Sequence, residues 1–351
     1  MGGTSDGRLR DAVLTITGIV IILGAARHAQ AIVVPFLLSM FIAILASAPF
    51  GWLRKRAVPA PAAALAVLTS VALSLLLLAA LLGSTVDEFS AALPGYQARL
   101  QELTSGAVAG LAGQGVDMTD TGLTEVLDPR AAMGFANTLV LGLGGVLSNA
   151  FLIMFTVLFI LLEASSFPAK LQSMQREGSA ETASRLAAIV DSTKAYIAVK
   201  TMTSLATGIL VGLGVALVGL DFAVLWGFLA FVLNFIPSIG SIVAAVPAVL
   251  LSLLQLGPLP TLFVVLVYLA TNGLIGSVLE PAVMGRRVGL STLVVFLSLV
   301  FWGWLLGPVG MILSVPLTMS VKFAAQASDE TRWLGVLLEV APAPATKGAR
   351  A

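Results

Sequence analysis

The sequence predicts an all-α polytopic membrane protein with about eight transmembrane segments, two of them broken re-entrant helical hairpins. Three observations predict it. Apolar residues make up 58% of the 351 residues and charged residues only 11%, at a mean hydropathy of +1.02. Between Thr201 and Val321 the only charges are Asp221, Glu280, Arg286 and Arg287, whereas a soluble domain of that size needs far more charge for its surface. Finally, two apolar runs have the wrong length for a simple span and are interrupted by glycine and proline.

The apolar runs fall at residues 12–26, 30–51, 60–86, 137–162, 202–219, 222–254, 261–280 and 292–322. The first continues into the second and lacks a convincing cleavage site, so it reads as a span rather than a removed signal. Basic residues mark the cytoplasmic ends of spans. Arg54, Lys55 and Arg56 separate the second and third runs, and Lys170, Arg176, Arg185, Lys194 and Lys200 lie between the fourth and fifth. Segment 87–136 carries seven acids and only Arg99 and Arg130 as bases. The N-terminus and basic loops are therefore expected in the cytoplasm of a bacterial inner-membrane protein, with 87–136 outside. Val86, Phe89, Leu93, Leu100 and Leu103 recur at near-helical spacing, which predicts short amphipathic helices there. Residues 180–200 predict an amphipathic cytoplasmic helix, with Leu186, Ile189, Val190, Thr193 and Ile197 on one face.

The organisation that follows is a scaffold at 1–162, a cytoplasmic amphipathic region at 163–201, a transport region at 202–327 and a partly disordered cytoplasmic tail at 328–351. There is no cysteine and one histidine, His28. Thiol chemistry, disulfides, and histidine or cysteine metal clusters are excluded, and no cofactor is expected. No basic patch suits nucleic acid. No Gly-Lys-Ser/Thr phosphate loop is present, so the chain does not hydrolyse nucleotide by that route. No nucleophile–base pair stands out, and the chain reads as a non-enzyme.

The 33 residues of 222–254 would run about 50 Å as one helix against a hydrocarbon core of about 30 Å. They are too few for two full spans. The run breaks at Phe235-Ile236-Pro237-Ser238-Ile239-Gly240-Ser241, just after Asn234. Irregular backbone at membrane depth is tolerated only under protein cover or beside water. The break has an echo. Trp226-Gly227 leads to Pro237, Gly240 and Val246-Pro247; Trp302-Gly303 leads to Pro308, Gly310 and Val315-Pro316, in a copy shorter by seven residues. One topology gives two inverted hairpins, the first with its tip near Pro237 and the second near Gly307-Pro308. Paired interrupted segments of this kind point to a midplane site in secondary transporters. A competing topology places a hairpin at 203–236, with its tip near Asp221, and lets the chain cross at 239–255.

Three stretches resemble the autoinducer-2 exporter family of bacterial permeases and transporters. They are Asn234-Phe235-Ile236-Pro237-Ser238-Ile239-Gly240-Ser241; Glu280-Pro281 with Met284-Gly285-Arg286 and Val288-Gly289-Leu290; and Gly307, Gly310 and Val315-Pro316. Asp191 with Tyr196 looks familiar too. The chain departs from the family pattern at Ser238, where an aromatic is usual, at Ser241, where proline is usual, and at Ser291-Thr292, where His-Pro is typical. The resemblance implies export of small polar signals or ion-coupled transport, paired re-entrant hairpins and a homo-oligomer, a pentamer.

The candidate substrate- or ion-binding residues are Asn234, Pro237, Ser238, Gly240, Ser241, Glu280, Asp221, Asn272, Gly307, Pro308 and Gly310. Glu280 is the one acid of its span, and an intramembrane acid is costly enough to suggest function. It suits cation binding, proton exchange or pairing with Arg286 or Arg287. Asp221 suits a helix cap or, in the competing topology, a buried site. Asn234 and Asn272 can both donate and accept, either to a polar solute or to a neighbouring helix. The helix ends at the two breaks expose backbone groups suited to ions. The expected function is a secondary transporter, an exporter of small polar metabolites or signalling molecules such as autoinducer-2. The partners are that solute, a coupling cation or proton, and the lipid bilayer. A sodium(lithium)/proton antiporter is one alternative; a passive channel or a non-transporting scaffold is another.

Overall fold

The computed structural model describes residues 21–112, 149–164, 166–176, 180–237, 239–284, 289–327 and 331–339, together with residues 14, 17 and 18. The expectations for Ser238, Arg286, Arg287, residues 113–136 and the tail beyond 340 lie outside these residues. Among the described residues the chain is all-α. Its long helices are α1 (Gln30–Lys55), α2 (Ala60–Ala112), α3 (Ala150–Ala164) and α4 (Phe167–Arg176), then α5 (Ala180–Val218), α6 (Ala223–Leu233), α7 (Gly240–Leu256) and α8 (Pro258–Thr271). A π-helix at Asn272–Leu279 runs into α9 (Glu280–Met284), followed by α10 (Thr292–Ala327) and α11 (Arg332–Leu337). Among the described residues, five helical stretches are long and apolar enough to cross a bilayer: Gln30–Lys55, Ala60–Tyr96, Val190–Val218, Pro258–Val283 and Thr292–Gln326. The chain forms two compact units, one of Met1–Arg56, Phe155–Ile197 and Arg286–Ala351, the other of Ala57–Met154 and Ala198–Gly285.

In the second unit, α6 and α7 form an antiparallel hairpin. α6 stops at Leu233 because Pro237 has no N–H to continue the ladder. The intervening turn is closed by Ile236 N–H to Leu233 O at 2.8 Å and Gly240 N–H to Ile236 O at 3.2 Å. The two feet of the hairpin are tied together: Asp221 N–H donates to Gln255 Oε1 at 3.0 Å and Gln255 Nε2 donates to Gly219 O at 3.4 Å. Both ends of 222–254 therefore lie at one level, as the first of the two topologies requires. α5 packs against α6 through glycine, since a Cβ on Gly208 would sit 2.7 Å from Gly227 O.

The amphipathic pieces expected at 87–136 are, as far as residue 112, a continuation of α2. The reason is packing. Phe89 is buried and meets Phe222 and Trp226 edge to face, with centroids 5.4 and 5.9 Å apart. It belongs to the apolar core built on α6 and α7, so this stretch covers the hairpin's feet instead of lying free as separate helices. The expected cytoplasmic helix at 180–200 is likewise continuous with the fifth span as α5.

The first unit contains the second hairpin. α10 is interrupted at Gly307, whose φ of 68° and ψ of −154° are non-helical and open to glycine without a Cβ penalty. Its arms run from Thr292 to Leu306 and from Pro308 onward. Its feet are tied as well. Lys322 Nζ donates to Gly289 O at 3.0 Å and pairs with Glu339 Oε1 at 2.9 Å, while Ser291 N–H donates to Leu338 O at 3.2 Å.

The two hairpins share a device at their turns. A Cβ on Gly240 would lie 1.7 Å from Leu233 O and 3.1 Å from Ile236 Cβ; a Cβ on Gly310 would lie 2.0 Å from Trp302 O and 2.7 Å from Leu306 Cβ. In each, glycine near the start of the second arm lets its backbone approach a carbonyl near the end of the first, Leu233 O in one and Trp302 O in the other. Pro247 and Pro316 lie buried further along the second arms. The shortening of the second copy falls largely at the tip, where the first hairpin turns between Leu233 and Gly240 and the second turns at Gly307.

Candidate functional site

The buried face of α5 changes character along its length. Val211 and Val215 are fully buried in the apolar core. On the preceding two turns the same face is polar, with Lys200, Thr203, Ser204 and Thr207 all at most 5% exposed. That spacing is the i, i+3, i+4, i+7 pattern of one helical stripe, here written in polar residues. Burying such groups is unfavourable unless each is bonded. Most are. Thr203 Oγ1 donates to Lys200 O at 3.1 Å. Asn234 Nδ2 donates to Ser204 Oγ at 3.0 Å, across from the turn of the first hairpin. Thr207 Oγ1 is buried with no hydrogen-bond partner.

Lys200 Nζ also donates to both oxygens of Glu280, at 2.8 and 2.9 Å. The lysine side chain is 6% exposed and the glutamate 19%. Glu280 is aimed by the π-helix, whose last ring closes when Glu280 N–H bonds Ile275 O, five residues back. π-turns are uncommon and recur at functional sites. Among the described residues Glu280 pairs with Lys200, eighty residues upstream; the expected pairing with Arg286 or Arg287 falls on residues outside those described. A lone buried charge would be very costly, and close pairing offsets much of that.

Asp221 does not cap α6. The cap position is Phe222, in the left-handed conformation at φ 61°. Asp221 Oδ2 instead accepts from Tyr96 Oη at 3.2 Å, and its carbonyl accepts from Trp226 Nε1 at 2.9 Å. It is exposed, at the feet of the hairpin. From Ser204 to Val218, α5 rises about 21 Å, so Asn234 lies far from Asp221 along the bundle. Pro237 and Ser241 are half-buried and Gly240 is buried. Asn272 opens the π-helix and is exposed. Of the expected residues, the second unit thus brings Asn234, Pro237, Gly240 and Ser241 to one turn. It joins Asn234 to Ser204 and Glu280 to Lys200 on the stripe, and leaves Asp221 and Asn272 apart. Gly307, Pro308 and Gly310 form the other unit's turn, where Gly307 is half-buried, Pro308 exposed and Gly310 buried.

A groove of about 530 Å³ beside α5 is lined by Leu78, Gly208, Gly212, Gly227, Phe228 and Phe231 among others. Apolar side chains and glycines alone line it, so it offers nothing to orient a polar solute. The polar stripe is the better candidate. Lys200, Ser204 and Thr207 were not singled out from sequence, although their helical spacing within an apolar span was a readable signal.

Comparison with known proteins places this geometry in a family. Residues 13–329 match the profile of the AI-2E family transporters. The chain belongs to the AI-2E family. Among its AI-2E relatives is the AI-2 transport protein TqsA of Escherichia coli K12, 40% identical over 326 residues that cover 93% of this chain and 94% of the relative. A Haemophilus influenzae relative, named for transport without a substrate, is 38% identical over 335 residues, covering 94% and 96%. The YhhT transport-protein relative of Escherichia coli K12 is 35% identical over 326 residues, covering 93% of each chain. The chain is thus a multi-pass membrane protein of a transporter family, and its solute and lipid surroundings follow from that.

Proposed function

We propose that the protein is a secondary transporter of the bacterial inner membrane that exports small polar metabolites or signalling molecules by alternating access, with its two hairpins as the moving elements. The observation that carries this reading is the bond between Asn234 and Ser204. It sets the turn of a hairpin against a buried polar stripe inside a candidate span. The buried amide of Asn234 needs a partner, and the stripe supplies it at the turn itself. The name of the Escherichia coli relative, an AI-2 transport protein, supports autoinducer-2 as one solute to test.

The direction of the first hairpin follows from the charge pattern. Ala60 starts α2 just after Arg54-Lys55-Arg56, and Tyr96 lies about 54 Å further on. The Tyr96–Asp221 bond then sets the hairpin's feet on the outer side and its turn towards the cytoplasm. Lys200 and Glu280 lie on the cytoplasmic side, where an exported solute arrives. The N-terminus is cytoplasmic, and a homo-oligomer, a pentamer, holds the scaffold. Coupling to a cation or proton supplies the energy.

The test is efflux and counterflow by purified protein in proteoliposomes, against a panel of polar metabolites with and without ion gradients. Concentrative, saturable flux lost in Asn234→Leu supports the reading. Folded protein that moves no solute sinks it. The antiporter alternative rests on Glu280 and predicts proton flux on adding sodium or lithium, lost in Glu280→Gln. Conduction far faster than any carrier cycle would instead mark a channel.

A further inference from the structure

We propose that the Lys200–Glu280 pair is a self-occupied carboxylate site, and that the transported solute is a small hydroxycarboxylate that takes the place of Glu280 on Lys200. The inference rests on the transporter reading above. Lys200 holds both oxygens of one carboxylate, at 2.8 and 2.9 Å, which is the pose a free carboxylic acid anion would adopt. Of the two partners the glutamate is the more exposed, 19% against 6%, so it is the partner that can leave while the ammonium stays buried. A carboxylate arriving as Glu280 departs keeps the buried lysine paired throughout, and an unpaired buried charge is the costly state.

The backbone supplies a means of departure. Glu280 stands at the end of the π-helix Asn272–Leu279. Tightening that helix from i→i+5 to i→i+4 rings turns residue 280 about the axis and swings its side chain away from α5. The same stripe supplies hydroxyls one and two turns along α5 from Lys200. Ser204 Oγ accepts from Asn234, which leaves its own proton to donate. Thr207 Oγ1, buried and unpartnered, lies one turn beyond. Ammonium, amide and two hydroxyls along about 10 Å of helix are donors suited to a small molecule that carries both a carboxylate and a hydroxyl. A cation does not fit this stripe, because the buried ammonium already holds the carboxylate.

The full-length protein in nanodiscs is followed by intrinsic-fluorescence melting in sodium L-lactate, sodium propionate or 1,2-propanediol, at matched ionic strength. Lactate is expected to raise the melting temperature saturably, propionate to need several-fold higher concentration, and propanediol to do nothing. K200Q loses the response to both acids. S204A/T207V loses the preference for lactate over propionate. E280Q half-saturates at about ten-fold lower lactate, if Glu280 occupies Lys200 some nine-tenths of the time. No response of the wild type to either acid, an equal response to propanediol, or an unaltered half-saturation in E280Q overturns the proposal. So does a K200Q variant that responds like the wild type. If K200Q does not fold, K200Q/E280Q removes both charges and takes its place. Lactate counterflow in proteoliposomes separates the two readings. A Lys200-dependent acid response without any counterflow keeps the site and sinks the transporter. Counterflow of a neutral metabolite without an acid response keeps the transporter and sinks the site.

Discussion

Replacing Gly240 by alanine drives a Cβ to 1.7 Å from Leu233 O and 2.7 Å from Leu233 C. Ordinary contact begins at 3.4 Å, so the two arms of the first hairpin must part by well over an ångström. Neither atom is the end of a flexible side chain; both are backbone at the close of α6. Overpacking typically costs 1–3 kcal/mol, and a backbone-to-backbone clash belongs at or beyond the upper end, about 3 kcal/mol. In a chain this long that loss lowers the melting temperature by about 4 °C. The assay is thermal unfolding of purified protein in detergent, with Gly83→Ala as control. Gly83 sits inside α2 with nothing within 4 Å of its added Cβ. Alanine there is neutral or gains up to about 1 kcal/mol from helix propensity. Gly310→Ala, whose Cβ would lie 2.0 Å from Trp302 O, should behave like Gly240→Ala. If both hairpin variants melt within a degree of the control, the glycine contacts do not hold the turns and the account of the paired hairpins fails.

Ser204→Ala leaves Asn234 Nδ2 without its acceptor and should cost about 1–3 kcal/mol, measured by the same melting; Ser204→Ala/Asn234→Leu should recover part of it. Thr207→Val removes a buried hydroxyl that has no partner, so it should raise the melting temperature while lowering solute flux, a stability–function conflict read by running both assays. Lys200→Ala strands Glu280 and should cost about 3–5 kcal/mol, whereas Lys200→Met/Glu280→Leu, which removes both charges, should cost far less. Glu339, beyond the last span, has its carboxyl held below the usual 4.5 by hydrogen bonds from Lys322 and Gln326. A depressed acid stabilises the folded chain fully above its unfolded value, and that stabilisation is lost as pH falls through the folded one. The melting gap between the wild type and Glu339→Gln should therefore be constant from neutral pH to about 5 and close below 4.5.

Both hairpin turns were legible in the sequence, because Asn234, Pro237 and Gly240, like Gly307 and Pro308, are residues that a continuous apolar helix cannot accommodate cheaply. The all-α membrane class was legible for an equally local reason: runs of apolar residues need a helix to satisfy their backbone in lipid. What lay beyond reach was partnership. Segment 87–136 reads as short amphipathic helices because its apolar residues recur at near-helical spacing; only the meeting of Phe89 with Phe222 and Trp226 shows why it extends α2 as far as residue 112. Asp221 read as a cap because aspartate favours that position, and Tyr96 and Gln255 claim it instead.

The sequence by itself determined that this chain crosses a membrane, where its two broken segments turn, and that Glu280 is an acid in need of a partner. Composition and periodicity settle such matters, since they depend on each segment's own solvation and backbone. Only the tertiary structure decided which group answers Glu280. Lys200 stood among the cytoplasmic basic residues of the sequence, and Ser204 and Thr207 among the apolar residues of a span. The π-helix and the packing of α5 against the first hairpin bring them onto one stripe. Charges eighty residues apart carry no mark of each other in the chain; the cost of burying either alone couples them once the helices pack.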